Sequence, residues 1–317
     1  MLTREQMERS PTTAERRRSE RLGFLSGVFM ALGASLGFAA ARAGILGGLL
    51  PIDLIFVRFL VAGAIMLPVV LCFGVIGFAG IGWRRTLVLT AVGGAPFAVL
   101  QTSGYGFAPL AHGAVIAPAT VTIISTIGAA LFLRERLGPN HLLGAAIVLG
   151  GVVLIGWDGL HAASGPKTWL GDLLFFTSSV LWACFTLLLR HWRVPALRAT
   201  AVVIVLSCLM TTPAYLLWVG MAHVRALPLA TMAFQGLVQG GLQGAFTMVA
   251  YGQAVVLLGV SRAVLFPALV PALSVLVGIP IVGEMPSLLQ VMGLGFVTLG
   301  LLTTVGALQY LRRPFGR

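Results

Sequence analysis

Ten apolar runs, each about as long as a bilayer core is thick, decide what this chain can fold into. They lie at about 22–41, 53–73, 86–107, 113–133, 142–157, 170–189, 199–220, 230–252, 263–283 and 288–308, and a spanning helix needs roughly 20 apolar residues. Charge or Gly/Pro/Asn bounds each run. A chain of 317 residues is filled by ten such spans, which leaves no sizeable domain outside the membrane. Only 9% of the residues are charged, against about 25% in a soluble domain. An all-α integral membrane protein is therefore expected, and soluble enzymes and secreted scaffolds are excluded. The three cysteines, Cys72, Cys184 and Cys208, sit in apolar stretches without disulfide or metal-ligand spacing.

The net charge of +12 reports sidedness in such a chain, so no nucleic-acid partner is expected; the partners are the lipid bilayer and a small-molecule substrate. With the N-terminus inside and ten alternating spans, the inner segments hold Arg4, Arg9, Arg16, Arg17, Arg18, Arg21, Arg84, Arg85, Arg134, Arg136, Arg190, Arg193, Arg198, Arg262, Arg312, Arg313 and Arg317. The outer loops hold only Arg42, Lys167 and Arg225, and Arg58 lies within a span. An odd span count would scramble this separation. Residues 1–21 then form a cytoplasmic polar tail, 158–169 a periplasmic linker and 309–317 a cytoplasmic basic tail. No small-residue cleavage site closes the first run, which is read as a retained helix of a multi-pass inner-membrane protein with both termini cytoplasmic.

The chain also repeats. A shift of 149 pairs Pro118 with Pro267, Ser125 with Ser274, Glu135 with Glu284, Gly144 with Gly293, Val148 with Val297 and Gly151 with Gly300 in one ungapped register. A shift of 148 pairs Arg42 with Arg190, and a shift of 146 pairs Tyr105-Gly106 with Tyr251-Gly252. The repeats are 22–157 and 170–308. Each holds five helices, an odd number, so the second must sit upside down relative to the first. Two inverted five-helix repeats are a transporter architecture, with the binding site expected near the midplane between halves.

These features resemble the drug/metabolite transporter superfamily, specifically the EamA-type ten-helix permeases. The resemblance spans about residues 22–306 and is carried by Pro118 through Gly151, with the run Leu131-Phe-Leu-Arg-Glu135-Arg-Leu, and by Pro267, Glu284 and Gly293 in the second copy. Arg58 also resembles a common family position. The resemblance implies a permease that moves small organic metabolites.

The most specific local signal is in the eighth span. Gln235, Gln239, Gln243, Thr247 and Tyr251 recur every four residues, which places them on one helix face beside Gly236, Gly240 and Gly244. Amides and hydroxyls in hydrocarbon must be hydrogen-bonded, so this face meets protein or a wet cavity. Helix-to-helix glue is one reading. Substrate contact by Gln239, Gln243, Thr247 and Tyr251 is the other, with Gln101 and Tyr105 as their counterparts in the third span. Pro118 and Pro267 each remove a backbone donor at repeat-related positions; they mark either helix interruptions in the pathway or harmless kinks whose freed carbonyls neighbours satisfy. Arg58 is a charge inside a span. Asp53, five residues earlier, offers it a structural pair; the functional alternative is attraction of a carboxylate-bearing substrate. Glu135 and Glu284, at helix ends, are read as structural or gating residues.

Other chemistries lack their parts. Gly33-Ala-Ser35-Leu-Gly37 matches a nucleophile pattern but lies inside an apolar helix. The five histidines map to helix ends or loops, with no metal or cofactor site, and no phosphate-cradling loop exists. The expectation is a secondary transporter, an exporter of a small organic metabolite such as an amino acid, working by alternating access. A proton-coupled cation or drug antiporter is the first alternative, but it needs a membrane-embedded carboxylate and none is clearly central. A lipid-modifying membrane enzyme is the second, lacking a convergent acid, base and nucleophile. Without a central carboxylate, transport is expected not to depend steeply on a proton gradient.

Overall fold

The computed structural model describes residues 13–132, 138–161, 167–263 and 265–304. All regular structure among them is helical: α1 (Thr13–Leu46), α2 (Pro51–Phe73), α3 (Trp83–Gly93), α4 (Ala95–Gly104), α5 (Leu110–Phe132), α6 (Pro139–His161), α7 (Thr168–Trp192) and α8 (Ala196–Trp218). After the short α9 (Met221–Ala226) come α10 (Leu229–Gln235), a π-helix over Gly236–Phe246, α11 (Thr247–Leu258), α12 (Val260–Ala263), α13 (Leu265–Val282) and α14 (Leu288–Thr304). Among the described residues, nine helical stretches are long and apolar enough to cross a membrane, with Trp83–Gly104 and Leu229–Leu258 each counting once. The shorter apolar α14 makes the tenth.

Neighbouring contacts show that the spans alternate in direction. One end of the bundle gathers the end of α1, the start of α5 and the segment after α13, through Arg42, Leu110 and Glu284. At the other end Glu20 of α1 lies 3.9 Å from Arg262. There too Arg85 lies over Trp192, Arg198 lies over Phe73 and Gly23 abuts Leu258. The cations are segregated accordingly, because a hydrated guanidinium has no place in hydrocarbon.

Glycine spacing sets the inverted symmetry. α6 and α14 cross so closely that a Cβ on Gly144 would lie 2.7 Å from the Gly300 carbonyl, and one on Gly300 would lie 2.8 Å from that of Gly144. Gly151 and Gly293 repeat the arrangement, at 2.7 and 3.0 Å. The sequence repeat equates Gly144 with Gly293 and Gly151 with Gly300, so the contacts exchange under a two-fold axis between the helices. Small residues let backbones approach where lipid supplies no hydrophobic drive. Val148 and Val297, both fully buried, pack between the glycine pairs.

The helix irregularities fall elsewhere than at Pro118 and Pro267. Pro118 lies inside an unbroken α5, and Pro267 sits in the first turn of α13, where a missing N–H costs no helical bond. The third span instead breaks at Gly94 (φ −100°, ψ −136°), and the eighth runs as a π-helix over eleven residues. The register that equates Tyr105 with Tyr251 equates Gly94 with Gly240, so both irregularities occupy one repeat position. A Cβ on Gly94 would meet Ser207 Oγ of α8 at 2.4 Å; one on Gly240 would meet the Arg58 carbonyl of α2 at 2.8 Å.

Candidate functional site

The eighth span presents two faces. Its glycines bring the backbone against α2, as at Gly240, while its amides reach α1. Gln235 Nε2 donates to the Ala40 carbonyl and Gln239 Nε2 to that of Gly37, both at 2.8 Å. Gln243 Nε2 reaches the Ala34 carbonyl at 3.4 Å, and its Oε1 is buried without a partner. Gly33 and Gly37 of α1 make room for Thr247 and Gln243, and Ser35 bonds its own helix at Ala31. The Gly-x-Ser-x-Gly motif is thus a packing face. In an ordinary α-helix residues four apart drift by about 40° per step, which over Gln235 to Tyr251 would carry the stripe toward the opposite face. A π turn closes i to i+5 and holds more residues, which counters that drift. The Thr247 hydroxyl returns to the Gln243 carbonyl at 2.7 Å. The half-buried Tyr251 hydroxyl bonds no described residue.

The third span places its polar residues differently. Gln101 Oε1 accepts a 2.6 Å hydrogen bond from Ser178 Oγ. Tyr105 is buried with its ring edge-on to Phe175 at 4.9 Å between centroids, and its carbonyl accepts from Arg42. Its hydroxyl has no hydrogen-bond partner of normal geometry; Gln101, Arg42 and Arg58 are its polar surroundings.

Arg58, the eighth residue of α2, lies about 10 Å along that helix and is half-buried. Its guanidinium makes no hydrogen bond or ion pair with any described residue, and its electrostatic neighbour is Tyr105. The pairing with Asp53 does not form. Five residues turn a helix by about 140°, so the two side chains leave α2 on different faces. Asp53 is fully buried and occupied: it accepts from the Leu50 N–H at 2.9 Å, from Tyr215 Oη at 2.5 Å, and lies 3.1 Å from His223 Nε2. When Pro68 of α2 is aligned with Pro213 of α8, the repeat counterpart of Arg58 is the buried Val203. The charge therefore belongs to one half only.

The end of the bundle near Arg42 is closed by polar contacts. Glu284 binds Arg42 Nε at 2.7 Å and accepts from the Leu110 N–H at 2.9 Å, tying α1, α5 and the α13–α14 connection together. Beside it His112 lies between Asp158 and Asp172, and Asp158 accepts from Ser287 Oγ and Gln290 Nε2, each at 2.7 Å. Sequence reading missed this group, because its members are scattered over three helix ends. A cavity of about 510 Å³ is lined by Arg42, Asp158, Glu284, Ser287 and Gln290 among others. Glu135 lies outside the described residues. No group of metal-ligating side chains occurs among the described residues.

The model of the EamA-like transporter family matches residues 21–157 and again 169–306. The chain belongs to that family, whose two helical repeats match its two halves. It is a multi-pass membrane protein of a transporter family. A relative from Streptantibioticus cattleyicolor, described as a probable terminal-alkyne amino-acid exporter, is 26% identical over 211 residues. That match covers 63% of this chain and 63% of the relative. A solved crystal structure 22% identical in sequence superposes with a TM-score of 0.59, covering 94% of this chain and 99% of the other, and shares the fold.

Proposed function

We propose that the protein exports a small carboxylate-bearing metabolite, such as an amino acid, across the inner membrane by alternating access between its inverted halves. The arginine-rich end faces the cytoplasm in this reading, and the Arg42 end faces out. One observation carries it: among the described arginines, Arg58 is the one that lies about two turns inside a span and has no counter-charge. An unpaired guanidinium in a span is costly and marks a substrate pathway. The Tyr105 hydroxyl beside it is a second unsatisfied donor, and a carboxylate accepts from both. Gln101, Gln243, Thr247 and Tyr251 supply further polar groups from the two repeat-related spans.

The same accounting disfavours a cation or drug antiporter, which needs a free carboxylate. Asp53 and Glu284 are engaged by the donors named above, and Asp158 and Asp172 share His112 at the Arg42 end of the bundle, away from the middle of the spans. A lipid-modifying enzyme is disfavoured too, since the one hydroxyl in the His112 cluster, that of Ser287, donates to Asp158 and makes no hydrogen bond with the imidazole. Purified protein in proteoliposomes should move amino acids down an imposed gradient and leave lipids unmodified. Transport of organic cations without amino acids would overturn the reading.

A further inference from the structure

We propose that His112, held between Asp158 and Asp172, is a proton-binding site that keeps the outer face of the transporter closed. The outer assignment of this end rests on the orientation proposed above. His112 is fully buried in the first turn of α5. Its Nδ1 lies 2.8 Å from Asp172 Oδ1 on α7, and its Nε2 lies 3.6 Å from Asp158 Oδ2 on α6. Both ring nitrogens face a carboxylate. A neutral imidazole carries one N–H and one lone pair, so whichever tautomer is present aims a lone pair at an anion. Only the imidazolium donates to both sides.

Asp158 cannot turn away to relieve that conflict. Ser287 Oγ holds its Oδ1 and Gln290 Nε2 holds its Oδ2, each at 2.7 Å, which also fixes it as an acceptor. His112 Nε2 is buried with no hydrogen bond. The groups around the imidazole are few. α6 contributes Asp158 and α7 contributes Asp172, with Lys167 exposed just before α7. α14 and its approach contribute only the uncharged Ser287 and Gln290. Glu284 and Arg42 line the same cavity as Asp158 but neutralise each other. Besides the ring, no cation among the described residues holds the two carboxylates.

The cluster joins α5 and α6 of the first repeat to α7 and α14 of the second. Alternating access must part such contacts on one side of the membrane. A proton arriving at His112 from the outer medium, through the cavity that Asp158 lines, ties the four helix ends together. Its departure leaves two carboxylates and a lone pair in mutual repulsion, and the outer ends separate. The proton acts as a gate ligand here, which is distinct from a proton carried across with each substrate.

The test needs no substrate. Cys72, Cys184 and Cys208 are replaced by Ser, and Val275→Cys, in the cavity lining, serves as reporter for a membrane-impermeant thiol reagent. Labelling rates are taken between about pH 5 and pH 8, each divided by the rate of the same reporter carrying His112→Asn. That ratio cancels the ionisation of the thiol itself. It should fall by about fivefold or more from the alkaline to the acid end, within the usual range of coupling between sites. Asp172→Asn, which keeps the shape of its side chain, should flatten the profile in the same way and serves as the reference if His112→Asn fails to fold. A ratio constant across this range overturns the proposal. So does a pH dependence removed by His223→Asn, at the Asp53 cluster, and untouched by His112→Asn or Asp172→Asn. If liposomes show no amino-acid transport while the profile is as expected, the export reading fails and the proton site stands.

Discussion

In the eighth span the amide N–H groups of Gln235 and Gln239 each donate to a carbonyl of α1 at 2.8 Å, and the atoms left buried without a partner, Oε1 of Gln235 and of Gln243, are acceptors. In the third span the Tyr105 hydroxyl is buried without a partner, and Arg58 of the neighbouring α2 has no counter-charge. The sequence repeat makes these two spans equivalents, each with Gln or Thr one turn before Tyr. Spacing alone therefore does not separate a polar seam from a binding surface; the state of each polar atom does. A hydrogen bond across membrane helices contributes only about 0.6 kcal/mol on average, whereas an unsatisfied buried polar group costs about 1–3 kcal/mol. Donors left in the second condition are the ones a carboxylate can satisfy.

The comparison can be broken by substitution. Gly240→Leu should have the largest effect, on folding: a side chain there runs into the Arg58 carbonyl and Val61 Cβ, both 2.8 Å from the position of a Cβ. The folded fraction on size-exclusion chromatography should fall to a small part of the parent's. Arg58→Gln should leave folding intact and weaken amino-acid transport by about 10- to 100-fold, from the loss of about 1.5–3 kcal/mol of charged hydrogen bonding. Tyr105→Phe should reduce transport by about 2- to 10-fold while leaving thermal stability unchanged or slightly raised, because the hydroxyl it removes has no partner. Gln239→Leu should act oppositely, lowering the thermal midpoint slightly and leaving transport per folded molecule near that of the parent. If Gln239→Leu abolished transport in a fully folded protein, the seam and the site would have to be exchanged.

Much of the architecture was legible because it depends on length and register. The spans follow from runs of apolar residues that hydrocarbon requires, and the inversion follows from an ungapped repeat of five helices. The contact of Gly144 with Gly300 then recurs as that of Gly293 with Gly151, as the repeat, which equates Gly144 with Gly293 and Gly151 with Gly300, requires. The site was less legible. Arg58 and Tyr105 stood out as a charge and a hydroxyl in apolar runs, but their lack of partners is a property of the packed bundle. Asp53 looked available to Arg58 from sequence proximity, yet helix rotation delivers it to Tyr215 and His223. The π-helix was hidden because a four-residue stripe reads as α-helical by spacing, while its backbone closure depends on packing against α1 and α2. His112, Asp158 and Asp172 are separated by 46 and 14 positions and meet only when three helix ends converge.

Matched ligands show whether Arg58 receives a carboxylate. Binding of an amino acid that the protein transports should be compared with that of its amine lacking the carboxyl group, on purified parent and Arg58→Gln protein, by isothermal titration calorimetry. The parent should prefer the amino acid by about 10-fold or more, and Arg58→Gln should bind both ligands equally and weakly. Equal binding of amine and amino acid by the parent, or an undiminished preference in Arg58→Gln, would contradict a carboxylate at Arg58.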